Sequence, residues 1–196
     1  MVTIGVILLA YLAGSFPFGL FIAQASCGID PRAAGSRNIG ATNVARLCGT
    51  KLGVATLLCD ALKGALPVLA ARAICPSPWF VGLVGLAAVS GHLFPVFLYY
   101  KGGKGVATTI GAFLAMAPLA MVISGLACAA AIALSGYVSV GSLLLAASLP
   151  FTLLLTGHAG LFPVGVAVAG LIIWKHKENI RRLRAGEEKP WRGKKN

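Results

Sequence analysis

The first charged residue of the chain is Asp30, so residues 4–26 form an apolar block that no ionic group interrupts. Further apolar stretches follow at about 52–71, 79–100, 106–134, 138–157 and 159–174. A helix needs roughly 20 such residues to cross the ~30 Å hydrocarbon core of a bilayer. In lipid the backbone must satisfy its own hydrogen bonds, which leaves helices or closed barrels. A barrel would show short alternating segments, whereas these stretches are continuously apolar. The expected fold class is therefore all-α, a polytopic membrane helical bundle, with residues 1–196 as a single domain. Composition agrees: 58% of the residues are hydrophobic and 11% charged, where a soluble domain carries about a quarter charged.

Topology follows from where the basic residues fall. Arg32, Arg37, Arg46 and Lys51 lie in one stretch and Lys101 and Lys104 in a second. Nine more, from Lys175 to Lys195, fill the tail. A net charge of +12 is compatible with nucleic-acid binding. Basic segments that bound apolar spans are better explained as cytoplasmic anchors against anionic lipid, and no nucleic-acid partner is expected. If residues 106–134 were one span, the 32–51 segment and the tail would face opposite sides, against the positive-inside tendency. Dividing the block near Ala117–Pro118 gives seven spans, puts all three basic segments in the cytoplasm and leaves the N-terminus outside. These 29 residues rise only about 43 Å as helix, so one of the two pieces is expected to be a short or half-span helix starting near Gly105. The N-terminal block lacks the basic start of a cleaved signal peptide and is expected to be a retained span, kinked at Pro17. The five cysteines show no CxxC, and neither a disulfide framework nor a metal site is expected.

The polar residues are few enough to take in turn. Asp60 and Lys63, three apart, share a helix face inside the second span. They read as a structural ion pair or as part of a site or transport pathway. His92, near the end of the third span, reads either as a bonded core histidine or as a proton carrier. His158 falls in an outer turn, and His176 in the basic boundary, where it could meet phosphate or lipid headgroups. In Lys101-Gly-Gly-Lys-Gly105, the glycines Gly102, Gly103 and Gly105 permit close backbone approach beside two ammonium groups. If Gly105 opens a helix, its free N–H groups would add to such an anion site. The spacing is not that of a Walker loop. Residues 35–46, GSRNIGATNVAR, combine the hydroxyls and amides of Ser36, Asn38, Thr42 and Asn43 with the guanidinium groups of Arg37 and Arg46. That mixture suits phosphate recognition more than lipid anchoring alone. HExxH, GxSxG and paired carboxylates near these segments are absent, so no cofactor and no metal are expected.

Three ordered signatures now carry a resemblance: GSRNIGATNVAR at 35–46, GHLFPVFLYYKGGKGVAT at 91–108 and HKENIRRLRAGEE at 176–188. With GSFPFG at 14–19 and Asp60-Ala-Leu-Lys63-Gly64, they resemble the bacterial membrane acyl-phosphate:glycerol-3-phosphate acyltransferases over nearly the whole chain. The resemblance implies seven spans, a cytoplasmic C-terminus, and one integral membrane acyltransferase domain in the bacterial inner membrane. It implies transfer of a fatty acyl group from acyl phosphate to the 1-hydroxyl of sn-glycerol 3-phosphate in phospholipid biosynthesis, with the active site towards the cytoplasm. The His-x4-Asp signature of other acyltransferases is absent after all three histidines, which supports the different donor.

Carried onto this chain, Ser36, Arg46, His92 and Lys104 are the expected catalytic positions, organising the two phosphate-bearing substrates. Asn38, Thr42, Asn43, His176 and Asn179 are expected supports, with Arg182 and Glu188 further candidates. Arg37 departs from the pattern, since the family commonly has Gly before this Asn; it either adds a phosphate contact or faces solvent. Acyl phosphate is already activated, so no serine nucleophile is required, and a proton could go to His92 or to a substrate phosphate oxygen. The small residues could pack helices within one chain or between two, and a monomer is compatible with so small a bundle.

Overall fold

The computed structural model describes residues 2–191, and every regular element among them is a helix. Two compact units divide the chain at Met116/Ala117. In the first, α1 (Val2–Ser15) and α2 (Phe18–Cys27) form one apolar span broken at Phe16–Pro17. Proline has no N–H to continue the ladder, so the break falls where the sequence puts the ring. Next come α3 (Ala41–Cys48), α4 (Thr50–Ile74), α5 (Pro78–Leu93) and α6 (Val106–Met116). In this unit α4 is the central element, in contact with α1, α2, α3, α5 and α6.

Glycines decide how closely these helices lie. A Cβ on Gly14 would stand 2.0 Å from the Ala88 carbonyl oxygen, and one on Gly91 would stand 2.1 Å from that of Tyr11, so α1 and α5 interlock backbone to backbone. Gly64 against Thr108 and Gly111 against Ala61 do the same for α4 and α6. Lipid offers helices no hydrophobic drive to associate, and close packing of small residues takes its place. The outward faces are apolar: Leu58, Leu62, Leu66 and Leu69 form an exposed stripe on α4, while Thr56, Asp60 and Lys63 are buried on the same helix. Polar inside and apolar outside is the arrangement a bilayer selects.

The second unit is an antiparallel helical array of α7 (Pro118–Ser135), α8 (Val138–Leu155) and α9 (Phe162–Lys175), followed by α10 (Lys177–Arg184). Contacts run from α7 to α8 and from α8 to α9. The Ser124 and Thr152 hydroxyls lie 2.9 Å apart between α7 and α8. The tail returns to the same end as the α7–α8 turn, where the Trp191 amide donates to the Gly136 carbonyl at 2.8 Å.

Two expectations need adjustment. Residues 27–51 are not simply a polar loop, because they contain α3, which buries Asn43 and Val44 and exposes Arg46. The third span stops at Leu93 rather than near 100; beyond it a short 3-10 turn, Val96–Leu98, leads into the glycine run. The division at Ala117–Pro118 is present, and α6 is the short helix expected there: its 11 residues rise about 16 Å, roughly half of the ~30 Å hydrocarbon core. By length and composition five helices can span, or six if α9 and α10, bent by 56°, count as one crossing. Arg192, Lys194 and Lys195 of the basic tail lie outside the described residues.

Candidate active site

The 35–46 segment is built around one amide. Asn43 is buried; its Oδ1 accepts the Ser36 N–H at 2.8 Å, and its Nδ2 donates to the Pro31, Asn38 and Ala34 carbonyls at 2.9, 2.8 and 3.2 Å. Only an Asn offers an acceptor and two donors on so short a stem, and this one gathers residues 31–38 into a fixed loop. Gly35 (φ +63°) lies so close to Asn43 Oδ1 that a Cβ there would come within 2.2 Å of it. The Asn38 side chain accepts the Gly40 N–H at 2.8 Å, turning the chain into α3. Ser36, Arg37 and Arg46 are exposed and Thr42 is half-buried. Asn43 therefore serves as the scaffold of the loop, and Asn38 shapes its exit. Arg37 sits at φ +55°, in the left-handed region that favours glycine. Ahead of the loop, Arg32 pairs with Asp30 at 2.7 Å, and the hydrogen bonds from Arg32 hold the Asp30 carboxyl below the usual carboxylate range.

The second segment folds back on His92. After α5 ends, Pro95 and the 3-10 turn reverse the chain; Tyr99 (φ +49°) and Tyr100 (φ +63°) then aim it back. The Gly103 N–H donates to the His92 carbonyl at 3.1 Å. A Cβ on Gly103 would stand 2.1 Å from His92 Nε2, and one on Gly102 2.1 Å from the His92 carbonyl oxygen. The glycine run is thus required by contact with His92 as well as being suited to an anion. Gly105 (φ +83°) accepts the Thr109 N–H at 2.8 Å, so it caps α6, and the first-turn amides of that helix follow Lys104 directly. At the opposite end of α6, Arg72 donates to the Ala115 carbonyl, a cation on the helix C-terminus. That contact gives this arginine, in the last turn of α4, a structural task.

Ile39 joins the two segments. It is buried in one cluster with Leu20 of α2 and Leu98 of the 3-10 turn. The loop bearing Ser36 and Asn38 and the turn leading to Lys104 therefore share a core. Beneath them, Lys63 Nζ lies 2.7 Å from Asp60 Oδ1, and His92 Nδ1 lies 3.6 Å from the same oxygen. Sequence reading paired Asp60 with Lys63 but had no signal for His92, which comes from another helix. It also missed Tyr11, whose hydroxyl donates to the Phe94 carbonyl at 2.6 Å and fixes the end of α5.

The third signature forms its own cluster within the second unit. His176 is buried at the α9–α10 bend with Nδ1 2.8 Å from the Ile172 carbonyl oxygen. Asn179 Nδ2 donates to Glu188 Oε1 at 2.6 Å, and Arg182 Nε to Glu188 Oε2 at 2.7 Å. Burial pushes the Glu188 carboxyl up, but the hydrogen bonds from Asn179 and Arg182 outweigh it and hold the group below the ordinary glutamate range. Glu188 thus clamps the tail onto α10. His158, between α8 and α9, lies 3.1 Å through Nδ1 from the Thr156 hydroxyl.

Comparison with known proteins gives a consistent result. Residues 4–186 match the family described as glycerol-3-phosphate acyltransferase. A glycerol-3-phosphate acyltransferase of Solidesulfovibrio magneticus is 58% identical over 186 residues, covering 95% of this chain and 94% of that protein. Another, from Nitratidesulfovibrio vulgaris, is 58% identical over 185 residues, and there the match spans 57% of the relative's length. Among solved structures, the crystal structure of PlsY (YgiH), an integral membrane glycerol 3-phosphate acyltransferase, in its glycerol 3-phosphate form superposes with a TM-score of 0.93. It is 38% identical, with 97% of this chain and 96% of that chain covered.

Proposed function

Because the chain belongs to the glycerol-3-phosphate acyltransferase family, we propose that it transfers a fatty acyl group from acyl phosphate to the 1-hydroxyl of sn-glycerol 3-phosphate. The products are 1-acyl-sn-glycerol 3-phosphate and inorganic phosphate. The observation that carries the reading at the residue level is the folded-back glycine run, with Lys104 and the α6 amides beside it and His92 beneath.

In this reaction the glycerol oxygen attacks the acyl carbonyl, an ester C–O bond forms, and the bond from the acyl carbon to the phosphate oxygen breaks. Phosphate leaves with the bonding electrons, and the hydroxyl proton goes to a phosphate oxygen of the substrate, with His92 orienting the hydroxyl. Alignment and stabilisation of the departing charge are then the protein's main tasks. Arg46 and Lys104 supply positive charge for the phosphates, and Ser36 and Thr42 supply hydroxyls. The backbone at Gly102, Gly103 and Gly105 supplies close approach, while Asn38 and Asn43 hold the loop. His176, Asn179, Arg182 and Glu188 support the same reaction, with Glu188 ordering its two partners. No metal or other cofactor takes part in this scheme.

The whole chain acts as one acyltransferase domain in the bacterial inner membrane, with the active site towards the cytoplasm. Its topology has seven spans, α6 being the short one, with the N-terminus outside and the C-terminus cytoplasmic. The placement of the basic residues supports this arrangement. The chain works in contact with membrane lipid, and its small size is compatible with activity as a monomer. The test is direct: purified protein in detergent or lipid is given acyl phosphate and glycerol 3-phosphate, and the lyso product is quantified. Absence of product from folded protein would sink the proposal. Uptake of an organic phosphate into sealed vesicles without conversion would favour a transporter instead.

A further inference from the structure

Asp60, Lys63 and His92 are 2, 5 and 4% exposed and lie in spanning helices, where an ionic group without a purpose would be costly. Lys63 meets two oxygens as well as the Phe18 ring, 5.8 Å from its centroid. It lies 2.7 Å from Asp60, and it donates to the Phe16 carbonyl at 2.8 Å. That carbonyl belongs to the break between α1 and α2, where the helical ladder is interrupted by Pro17. Lys63 therefore places a donor at the one break in the first span and a positive charge beside Asp60.

Asp60 in turn faces His92. Its Oδ1 is 3.6 Å from His92 Nδ1, too long for a hydrogen bond but close enough for electrostatic orientation. The opposite edge of the imidazole lies against Gly103. A carboxylate on the Nδ1 side favours the tautomer with its proton on that nitrogen and leaves Nε2 an acceptor on the glycine-loop side. We propose that Asp60 is a positioning residue for acyl transfer, holding His92 with Nε2 towards the glycine run, while Lys63 fixes Asp60 and ties it to the break in the first span. The inference rests on the reading that His92 belongs to the acyl-transfer site.

A double-mutant cycle tests it. A carboxylate that orients a metal-bound histidine changes activity roughly 10- to 100-fold when removed, and by analogy a loss of at least about 10-fold in kcat is expected for Asp60→Asn. The KM for glycerol 3-phosphate should change far less, because Asp60 has no place at the phosphates. In a His92→Ala background the same substitution should cost no more than about twofold, since its route of action is gone. Asp60→Asn combined with Lys63→Met removes both buried charges and serves as the folding control, read by thermal unfolding in detergent. It should melt near the parent yet show the Asp60→Asn loss of kcat. Equal losses in the two backgrounds, or full activity of the double variant, would overturn the proposal. An active parent with an additive cycle defeats this inference alone; an inactive folded parent defeats the acyltransferase reading and this inference with it.

Discussion

Arg37 sits at φ +55° with its side chain in solvent, although an L-residue in this region costs roughly 1–2 kcal/mol. Arg37→Gly should relieve that strain and, after the entropy lost by a freer unfolded chain, stabilise the protein by about 1 kcal/mol or less. The expected result is an equal or slightly higher melting temperature in detergent with catalysis intact. A loss of substrate affinity would instead assign the guanidinium to the phosphates. Asn43 is the contrasting case. The sequence offers it as one polar residue among several, and only the folded loop shows its amide committed to four backbone groups. Glu188 carries the pH prediction. Its carboxyl is held below the ordinary glutamate value, about 4.3. Its contribution is therefore complete above that value and is lost as pH falls through the depressed folded value. Hydroxyl-radical footprinting of Trp191, whose amide is held at the Gly136 carbonyl, should stay constant from neutral pH down to the ordinary glutamate range and rise only below it. Opening near pH 6 would contradict the clamp.

At the scale of elements, glycine placement separates positions where a methyl group is forbidden from those where it is harmless. A Cβ on Gly111 would stand 1.8 Å from the Ala61 carbonyl oxygen, so α4 and α6 would have to part; Gly125 in α7 has no atom within 4 Å of such a Cβ. Gly111→Ala should cost at least 1–3 kcal/mol, the usual range for overpacking or more where backbone is struck. Gly125→Ala should be neutral or stabilise by up to about 1 kcal/mol through helix propensity. Melting temperatures of the two variants in one detergent decide the matter, and similar shifts would argue against the α4–α6 interlock. The helix break at Pro17 and the division at Ala117–Pro118 were readable because proline acts locally. Helix α3 was hidden by its length and polarity, since eight residues containing Thr42, Asn43 and Arg46 make an amphipathic pattern too short to stand out from a basic loop. The early end of α5 was hidden for the opposite reason: residues 94–100 remain apolar and aromatic while the backbone turns, and hydropathy does not report φ.

For the whole molecule, the lipid-facing bundle was legible because hydrophobic length is a property of the chain itself. The convergence of Ile39 with Leu98, and of Asp60 with His92, was not, because each joins residues more than thirty positions apart with no local pattern to announce it. The ordered signatures singled out candidate residues, and the geometry then showed what Asn43, His92 and Glu188 touch. Sidedness is the remaining whole-molecule property, and the native cysteines test it. In the seven-span arrangement Cys75, in the α4–α5 connection, faces outward, while Cys27 and Cys48, flanking the 28–47 segment, face the cytoplasm. All three are partly accessible. A membrane-impermeant maleimide applied to sealed right-side-out spheroplasts should modify Cys75 and spare Cys27 and Cys48 until the membrane is permeabilised. If residues 106–134 were a single crossing and the tail remained cytoplasmic, the pattern would reverse, because every segment before that block would change sides. Labelling of Cys27 or Cys48 in sealed spheroplasts, with Cys75 protected, would therefore overturn the seven-span topology and the cytoplasmic placement of the 35–46 loop together.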